Sequence, residues 1–305
     1  MAKTSAQKKR PNTTRPPVKA RGGRPAGLFT WLAVGLVVIV VAALVIIKVA
    51  SGGTTKTGSS SFSPISAANL TALTTVPASV FNTVGVTSPI AAVTAPQAVA
   101  GQPELTGTND AGATVPEILY IGAEYCPYCA FERWGMIVSL SRFGSFSGLR
   151  TIHSSSTDAY PNTPTWTFYK STYASKYLTF TPVEETTNVP DKNSPTGYVP
   201  LQTPTPAQQA LLSKYNPGGS IPFVNFGNKY VITGASALPS VLAGKSWATI
   251  AAELSDASSP VAQAVNGTAN FMTAAICKMT SNQPASVCTP SVTGLQAKMA
   301  SASGS

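Results

Sequence analysis

The stretch EILYIGAEYCPYCAFERWGMIVSL, residues 117–140, decides the fold of this chain. Residues 117–122 form a short apolar run that predicts a buried strand, and residues 130–140 carry apolar side chains at helical spacing. Between them lies the motif Cys126-Pro127-Tyr128-Cys129. A strand, a C-x-x-C motif and then a helix put the first cysteine at a helix N-terminus, where unpaired amides and the helix dipole favour a thiolate.

From this placement we predict different roles for the two cysteines. Cys126 is expected to be exposed, low in pKa and nucleophilic. Cys129, one turn into the helix, is expected to be shielded and to act as the resolving thiol. Pro127 at the helix start restricts the backbone and removes one amide donor.

The pattern continues beyond the motif with a second strand over 149–154 and a hairpin over 221–232 that turns at Gly227-Asn228. Residues 156–206 show little periodicity. Helices are predicted over 207–215, 236–242, 247–254 and 260–279, and an earlier short one within 76–84. Ser259 is the predicted N-cap of the last helix.

Three segments resemble the thioredoxin-fold thiol–disulfide oxidoreductases. Residues 120–129 (YIGAEYCPYC) resemble their active-site strand and turn, residues 219–224 (GSIPFV) their Ile-cisPro loop, and residues 233–235 (TGA) the segment after their last hairpin. The string YIGAEYCPYCAFERWGMIVSLSRFG is most similar to a poorly characterised family of membrane-anchored thioredoxin-like proteins. The resemblance implies an α/β thioredoxin-like fold with an insertion and a C-terminal helical extension, preceded by one transmembrane helix.

The same resemblance implies the substrate-binding residues. Pro222 is expected to be cis and to face the dithiol, and the backbone of Ile221 is expected to pair with a bound substrate strand. Thioredoxins also carry a buried Asp six residues before the first Cys, as a proton acceptor for the resolving thiol. Tyr120 occupies that position here, so this relay is absent or replaced.

Five residues near the motif are candidates for tuning the dithiol: Glu124, Tyr125, Pro127, Tyr128 and His153. The resemblance makes Glu124 a flanking surface residue. His153, the only histidine, approximates the position of a thioredoxin Lys near the active site. We interpret His153 as a hydrogen-bonded strand histidine, with a role in tuning the dithiol as the alternative.

The N-terminal part of the sequence predicts a membrane attachment. Residues 28–47 carry no charge, and twenty helical residues cover the hydrocarbon core of about 30 Å. Eight cations and no acid precede them, so the leader is expected to be cytoplasmic and everything after Lys48 outside. A cleaved signal peptide is the alternative. Outside the cytosol, a C-x-x-C motif meets disulfides rather than a strongly reducing pool.

The charge distribution argues against a nucleic-acid partner. The net charge of +10 comes mostly from the leader, and the 11 acids beyond the span face 12 cations after Lys48. A nucleic-acid-binding domain would instead concentrate basic residues on its folded surface.

Composition and pattern divide the chain into seven segments: a basic cytoplasmic leader (1–27), a transmembrane anchor (28–48), a flexible linker (49–63), an N-terminal extension (64–115), a thioredoxin-like domain (116–258) with an insertion near 156–206, a C-terminal helix with a disulfide (259–288), and a flexible tail (289–305). The insertion is either a packed surface excursion or a lid that recognises substrate.

The other two cysteines, Cys277 and Cys288, predict a structural disulfide that ties the last helix to the tail. A second redox centre that passes electrons to the motif is an alternative. A zinc site of four cysteines is disfavoured because the second pair lacks the usual short spacing. No metal and no cofactor are expected.

Together these features predict a membrane-anchored, extracytoplasmic thiol–disulfide oxidoreductase that acts on protein cysteines and needs a redox partner to recycle it. A non-catalytic adaptor of the cell envelope, with the dithiol as a fixed staple, is the alternative. The sequence leaves open whether the enzyme would be an oxidase, an isomerase or a reductase.

Overall fold

The computed structural model describes residues 62–86 and 93–301, which belong to one compact unit. Within these two ranges, no helix is both long enough and apolar enough to cross a membrane. The predicted leader and span, residues 1–48, lie outside the described residues, and so does most of the predicted linker.

Thirteen strands and eight α-helices occur in the described part of the chain. The strands are β1 (Ser63–Pro64), β2 (Gln97–Ala98), β3 (Thr106–Thr108), β4 (Thr114–Gly122), β5 (Ser145–Ser147), β6 (Arg150–His153), β7 (Pro164–Thr167), β8 (Thr172–Ala174), β9 (Thr179–Glu184), β10 (Thr186–Pro190), β11 (Tyr198–Pro200), β12 (Phe223–Phe226) and β13 (Tyr230–Thr233). The helices are α1 (Ala67–Thr74), α2 (Ala78–Thr83), α3 (Pro127–Leu140), α4 (Pro206–Tyr215), α5 (Trp247–Glu253), α6 (Pro260–Met279), α7 (Pro290–Thr293) and α8 (Leu295–Ser301). A 3₁₀ helix spans Pro239–Leu242.

A six-stranded sheet carries the end of β4, from which the C-x-x-C motif follows. Its order is β2-β13-β12-β4-β3, and β9 also pairs with β4. The β12–β13 hairpin is antiparallel to β4, whereas β9 is parallel to it. The last five residues of β4 are buried, as a continuous apolar run requires of a strand covered on both faces.

The predicted fold class is wrong, because the strands form several small sheets in a mixed α/β arrangement rather than the expected thioredoxin-like one. The strand expected over 149–154 forms as β6 but pairs with β1 and β7 in a separate sheet. The parallel neighbour of β4 is instead β9, from the segment expected to be an insertion. Two further sheets consist of the pairs β5–β8 and β10–β11. The N-terminal helix of that prediction finds no support, since its residues are not described.

Helices α3 and α6 pack against each other and form much of the core. They approach closely at Gly135, where an added Cβ would lie 2.7 Å from Thr268 Cγ2. The buried Asn270 of α6 donates hydrogen bonds to the carbonyls of Phe81 and Val84, 2.9 and 2.8 Å away. These hydrogen bonds attach the N-terminal extension to helix α6.

Local patterns predicted several elements well. Helices α3, α4, α5 and α6 and the β12–β13 hairpin form close to their predicted positions, and Ser259 caps α6 by accepting a hydrogen bond from Val261 N. The helix expected over 236–242 is reduced to the 3₁₀ helix. Residues 290–301, predicted as part of a flexible tail, form α7 and α8, and the side chain of Met299 is buried.

Candidate functional site

The two motif cysteines lie at the start of α3, and three residues separate the end of β4 from Cys126. Cys126 is the N-cap residue, and its Sγ accepts a hydrogen bond from the amide of Cys129 at 3.3 Å. The same thiol donates to the carbonyl of Ile221 at 3.8 Å. Both cysteines are free thiols. The end of a buried strand and the start of a buried helix therefore hold the dithiol in one geometry.

The surroundings of the dithiol leave little of it accessible. Cys126 is 5% exposed and Cys129 is 0% exposed. Ala123, Tyr125, Tyr128 and Ile221 pack with the two thiols in a small apolar cluster. The prediction of an exposed Cys126 is therefore wrong, because residues from outside the motif cover most of the side chain; Cys129 is shielded.

The two thiols differ in acidity. Hydrogen bonding from the Cys129 side chain is the main influence that lowers the pKa of Cys126, with help from the backbone at Cys129 and the charge of Arg133, against the effect of burial. Burial raises the pKa of Cys129 well above its ordinary value, and the neighbouring Cys126 adds to that rise. Cys126 is therefore the thiol that ionises more readily.

The loop before β12 lies over the dithiol and contains a cis peptide bond between Ile221 and Pro222. Asn216 holds this loop through two hydrogen bonds, donating to the Ser220 carbonyl at 2.6 Å and accepting from the Ser220 hydroxyl at 3.1 Å. The Pro222 carbonyl accepts from the amide of Gly234 at 2.8 Å. The structure thus brings Ile221 into contact with Cys126, and Pro222 follows it in the cis form that the resemblance implied.

Ile221 borders two clefts. The larger, of about 440 Å³, is bordered by Tyr128, Ala235 and Leu238 among others. Leu238 is 61% exposed, the largest exposure of a bulky apolar side chain among the described residues. The smaller, of about 230 Å³, is bordered by Tyr125 and by residues of the segment 156–206.

Aromatic residues of the segment 156–206 contact the motif. Tyr198 stacks on Tyr125 with 4.2 Å between ring centroids, and its hydroxyl donates to Ser155 at 2.7 Å. Tyr160 contacts Tyr128 edge to face at 5.7 Å. The segment therefore borders the site on the side of the smaller cleft and the helix start.

A buried ion pair lies behind the dithiol. Arg133, one turn after Cys129, donates from Nε and Nη2 to Glu184 at 2.9 and 2.6 Å, and Nη2 also donates to the Ala123 carbonyl at 2.7 Å. Both side chains are 0% exposed. The pair links the first turns of α3 to the end of β9, and the Arg133 charge lowers the pKa of both motif cysteines.

Glu124 is buried, so the prediction of a surface position is wrong. Its Oε1 accepts from the Thr167 hydroxyl at 2.6 Å, while Oε2 has no hydrogen-bond partner among the described residues. Burial, followed by the charge of Glu184, raises the pKa of Glu124 to about 7. Glu124 is buried because of the tertiary structure: its hydrogen-bond partner Thr167 belongs to β7, which lies far from residue 124 in the sequence.

Glu132 is a second buried carboxyl that sequence reasoning missed. It accepts hydrogen bonds from the amide and the hydroxyl of Ser236, both at 2.8 Å, and burial raises its pKa to about 7. Ser236 also borders the larger cleft. One signal was available: α3 contains only two charged residues in fourteen, too few for a helix with a solvent face.

Among the described residues, no contact joins His153 to either motif cysteine. Its ring lies against Trp247, with 4.4 Å between centroids, and its carbonyl accepts from the Asn188 side chain at 2.8 Å. Desolvation lowers its pKa. The hydrogen bond at this residue is made by its backbone carbonyl, so both interpretations of its ring, as a tuning group and as a hydrogen-bonded strand histidine, stay predictions.

The other two cysteines form a disulfide between the last turn of α6 and the loop before α7, the pairing predicted from their spacing. The described ranges contain no group of three or more His, Cys, Asp or Glu side chains arranged to hold a metal ion.

Comparison with protein-family models gives a match over residues 104–278 to the model described as a domain of unknown function (DUF929). The matched region includes the dithiol, the loop over it and the buried charges behind it. Searches of curated proteins and of solved structures give no match.

Proposed function

The chain belongs to the DUF929 family, since the match covers more than half of it, and we propose that it is a thiol–disulfide oxidoreductase that acts on protein cysteines. The observation that carries this proposal is the difference between two adjacent free thiols. Cys126 caps a helix and has a lowered pKa, whereas Cys129 is buried and has a raised pKa. Such a pair suits a nucleophile and a resolving thiol.

The proposed reaction proceeds in two exchanges. The Cys126 thiolate attacks one sulfur of a substrate disulfide, a mixed disulfide forms, and the first substrate thiolate leaves and takes up a proton. Cys129 then attacks the Cys126 sulfur, releases the second substrate thiol and leaves a Cys126–Cys129 disulfide. Two electrons pass from the dithiol to the substrate. The reverse sequence oxidises a substrate dithiol, and in either direction a redox partner must restore the starting state.

The shape around the dithiol supports a polypeptide substrate. Clefts lie on both sides of Ile221, and Leu238 offers an exposed apolar contact in the larger one. The narrow access to Cys126 suits a disulfide presented by an extended segment of chain. The resemblance of residues 120–129 to the active-site segment of known oxidoreductases supports the same proposal.

We place this activity outside the cytoplasm, because the Cys277–Cys288 disulfide suits an oxidising compartment. The attachment through residues 28–47, with a cytoplasmic N-terminus, stays a prediction, since those residues lie outside the described ranges.

A redox titration tests the proposal. In the full-length chain carrying Cys277→Ser and Cys288→Ser, only the motif can titrate. A motif potential above about −250 mV agrees with catalysis, whereas a potential below about −300 mV indicates a fixed structural bond and favours the adaptor.

A further inference from the structure

We propose that the Tyr120 hydroxyl donates a hydrogen bond to the Cys129 thiolate and thereby enables Cys129 to resolve the mixed disulfide. This role deepens the proposed function and rests on it. Tyr120 lies in β4, six residues before Cys126.

The Tyr120 side chain is held inside the molecule with its hydroxyl unpaired. The residue is fully buried in β4, and its oxygen has no hydrogen-bond partner among the described residues. The ring is fixed by Phe168, edge to face at 5.3 Å, and by the Arg133 guanidinium, 5.8 Å from the ring centroid. Buried unpaired hydroxyls are uncommon, because each loses its hydrogen bonds to water without replacement.

Gly122 leaves room for the hydroxyl beside Cys129. A Cβ added at Gly122 would overlap the Tyr120 hydroxyl and would lie 3.1 Å from Cys129 Sγ. The phenol oxygen and the resolving sulfur therefore border the same small space, which a larger residue at position 122 would fill. The unpaired donor and the thiol that must ionise without water therefore lie at the edge of one small space.

Cys129 needs such a donor because its surroundings disfavour a charge. Burial raises its pKa, and the influences that lower it are the Arg133 charge and the backbone at Ala123. The amide of Cys129 itself donates to Cys126. Burial also raises the pKa of Tyr120 well above its ordinary value, and the charges of Cys129, Glu184 and Cys126 add to that rise against the effect of Arg133. The phenol therefore stays protonated and acts only as a donor.

With the Tyr120 hydroxyl as donor, the resolving step exchanges one sulfur–sulfur bond for another. In the mixed disulfide, the Cys129 thiol loses its proton and the sulfur accepts a hydrogen bond from Tyr120. Its electron pair forms the bond to Cys126 Sγ while the bond from Cys126 to the substrate breaks. The electron pair of the broken bond leaves with the substrate sulfur, which takes up the proton that Cys129 gave up, so the step is neutral overall. Tyr120 keeps its own proton throughout.

The test compares Tyr120→Phe with the wild-type chain in single turnovers. The reduced chain is mixed with a disulfide-bonded peptide, samples are quenched with acid and alkylated, and the mixed disulfide is counted by mass spectrometry. A hydrogen bond to a charged group implies that Tyr120→Phe slows resolution about tenfold or more at pH 7. The pH profile of that step should shift upward by about one unit, while formation of the mixed disulfide changes little.

Tyr215→Phe is the matched control, because the Tyr215 hydroxyl is also buried and unpaired but the residue lies in α4. It should resolve at the wild-type rate. A second measurement uses Cys126→Ser chains, in which Tyr120→Phe should raise the pKa of Cys129 in alkylation at graded pH. If Tyr120→Phe does not fold, 3-fluorotyrosine at position 120 keeps the hydroxyl as a stronger donor and should speed resolution.

The outcomes separate this inference from the proposed function. A wild-type chain that forms no mixed disulfide would overturn the proposed function itself. A wild-type chain that exchanges disulfides, with Tyr120→Phe resolving at the same rate and with the same pH profile, would overturn the role of Tyr120 alone. Equal slowing by Tyr215→Phe would also overturn it, because the effect would then come from losing any buried phenol.

Discussion

Both cysteine pairs of this chain are buried, yet they stand in different chemical states and at opposite ends of helices. Cys126 and Cys129 are free thiols at the N-terminus of α3, whereas Cys277, in the last turn of α6, is bonded to Cys288. A helix N-terminus stabilises a thiolate and a C-terminus disfavours one. Burial therefore does not distinguish the free pair from the bonded pair, whereas the position on the helix does.

The largest expected effect is the loss of activity at the motif. Cys126→Ser should reduce disulfide exchange to the uncatalysed background, and Cys129→Ser should trap substrates as mixed disulfides, because attack needs Cys126 and release needs Cys129. Non-reducing gels and mass spectrometry detect the trapped species. Trapping by Cys126→Ser rather than by Cys129→Ser would reverse the two roles.

The second largest expected effect is a loss of stability when the buried ion pair between Arg133 and Glu184 is broken. Arg133→Met leaves the Glu184 carboxylate buried and unpaired, so urea denaturation should show a loss of about 3–5 kcal/mol. The pKa of Cys126 should also rise, because a nearby positive charge is lost.

The matched control is Lys229→Met, which breaks the pair with Glu104, whose side chains are 38% and 40% exposed. Its effect should stay below about 1 kcal/mol. If both variants lost the same free energy of unfolding, burial of the Arg133 pair would not increase its contribution to stability.

The structural pair should affect stability without affecting exchange. Replacing both Cys277 and Cys288 with Ser removes a loop closure and should lower the free energy of unfolding by about 3 kcal/mol. Alkylation of Cys126 should proceed as in the wild-type chain. Lost turnover in a folded variant would instead support a relay of electrons between the two pairs.

The smallest expected effect is a pH dependence that belongs to the motif region. The pKa of Glu124 is about 7 in the folded chain and lower when unfolded, so the folded state binds more protons between these values. Stability from this group is present at low pH and is lost as pH rises toward and through 7, by an amount on the order of 2 kcal/mol.

Denaturation at pH 5 and pH 8 measures this difference. Glu124→Gln should flatten the dependence, although the similarly raised pKa of Glu132 leaves part of it. The double Ser variant of the disulfide should lower stability at both pH values and keep the slope. An unchanged slope in Glu124→Gln would show that this carboxyl is already ionised in the folded chain at pH 5.

The sequence predicted the local parts of the site but not the charges around it. Residues 117–140 contain the strand, the cap and the helix in succession, so Cys126 could be placed at a helix start. The burial of Glu124 depends on Thr167, forty-three residues away, and the partner of Arg133 is fifty-one residues away. Contacts between residues so far apart in the sequence produce no periodic pattern from which they could have been predicted.

The sequence alone determined those elements whose causes lie within a few residues: α3 with Cys126 as its cap, α6 with Ser259 as its cap, and the close cysteine pair that forms the disulfide. The tertiary structure decided which strand lies beside β4, because β6 and β9 are both able to form strands and only long-range packing selects β9. It also placed the unpaired Tyr120 hydroxyl beside Cys129. Helix caps and periodicity depend on neighbours in sequence, whereas strand pairing and burial depend on the free energy of the whole fold.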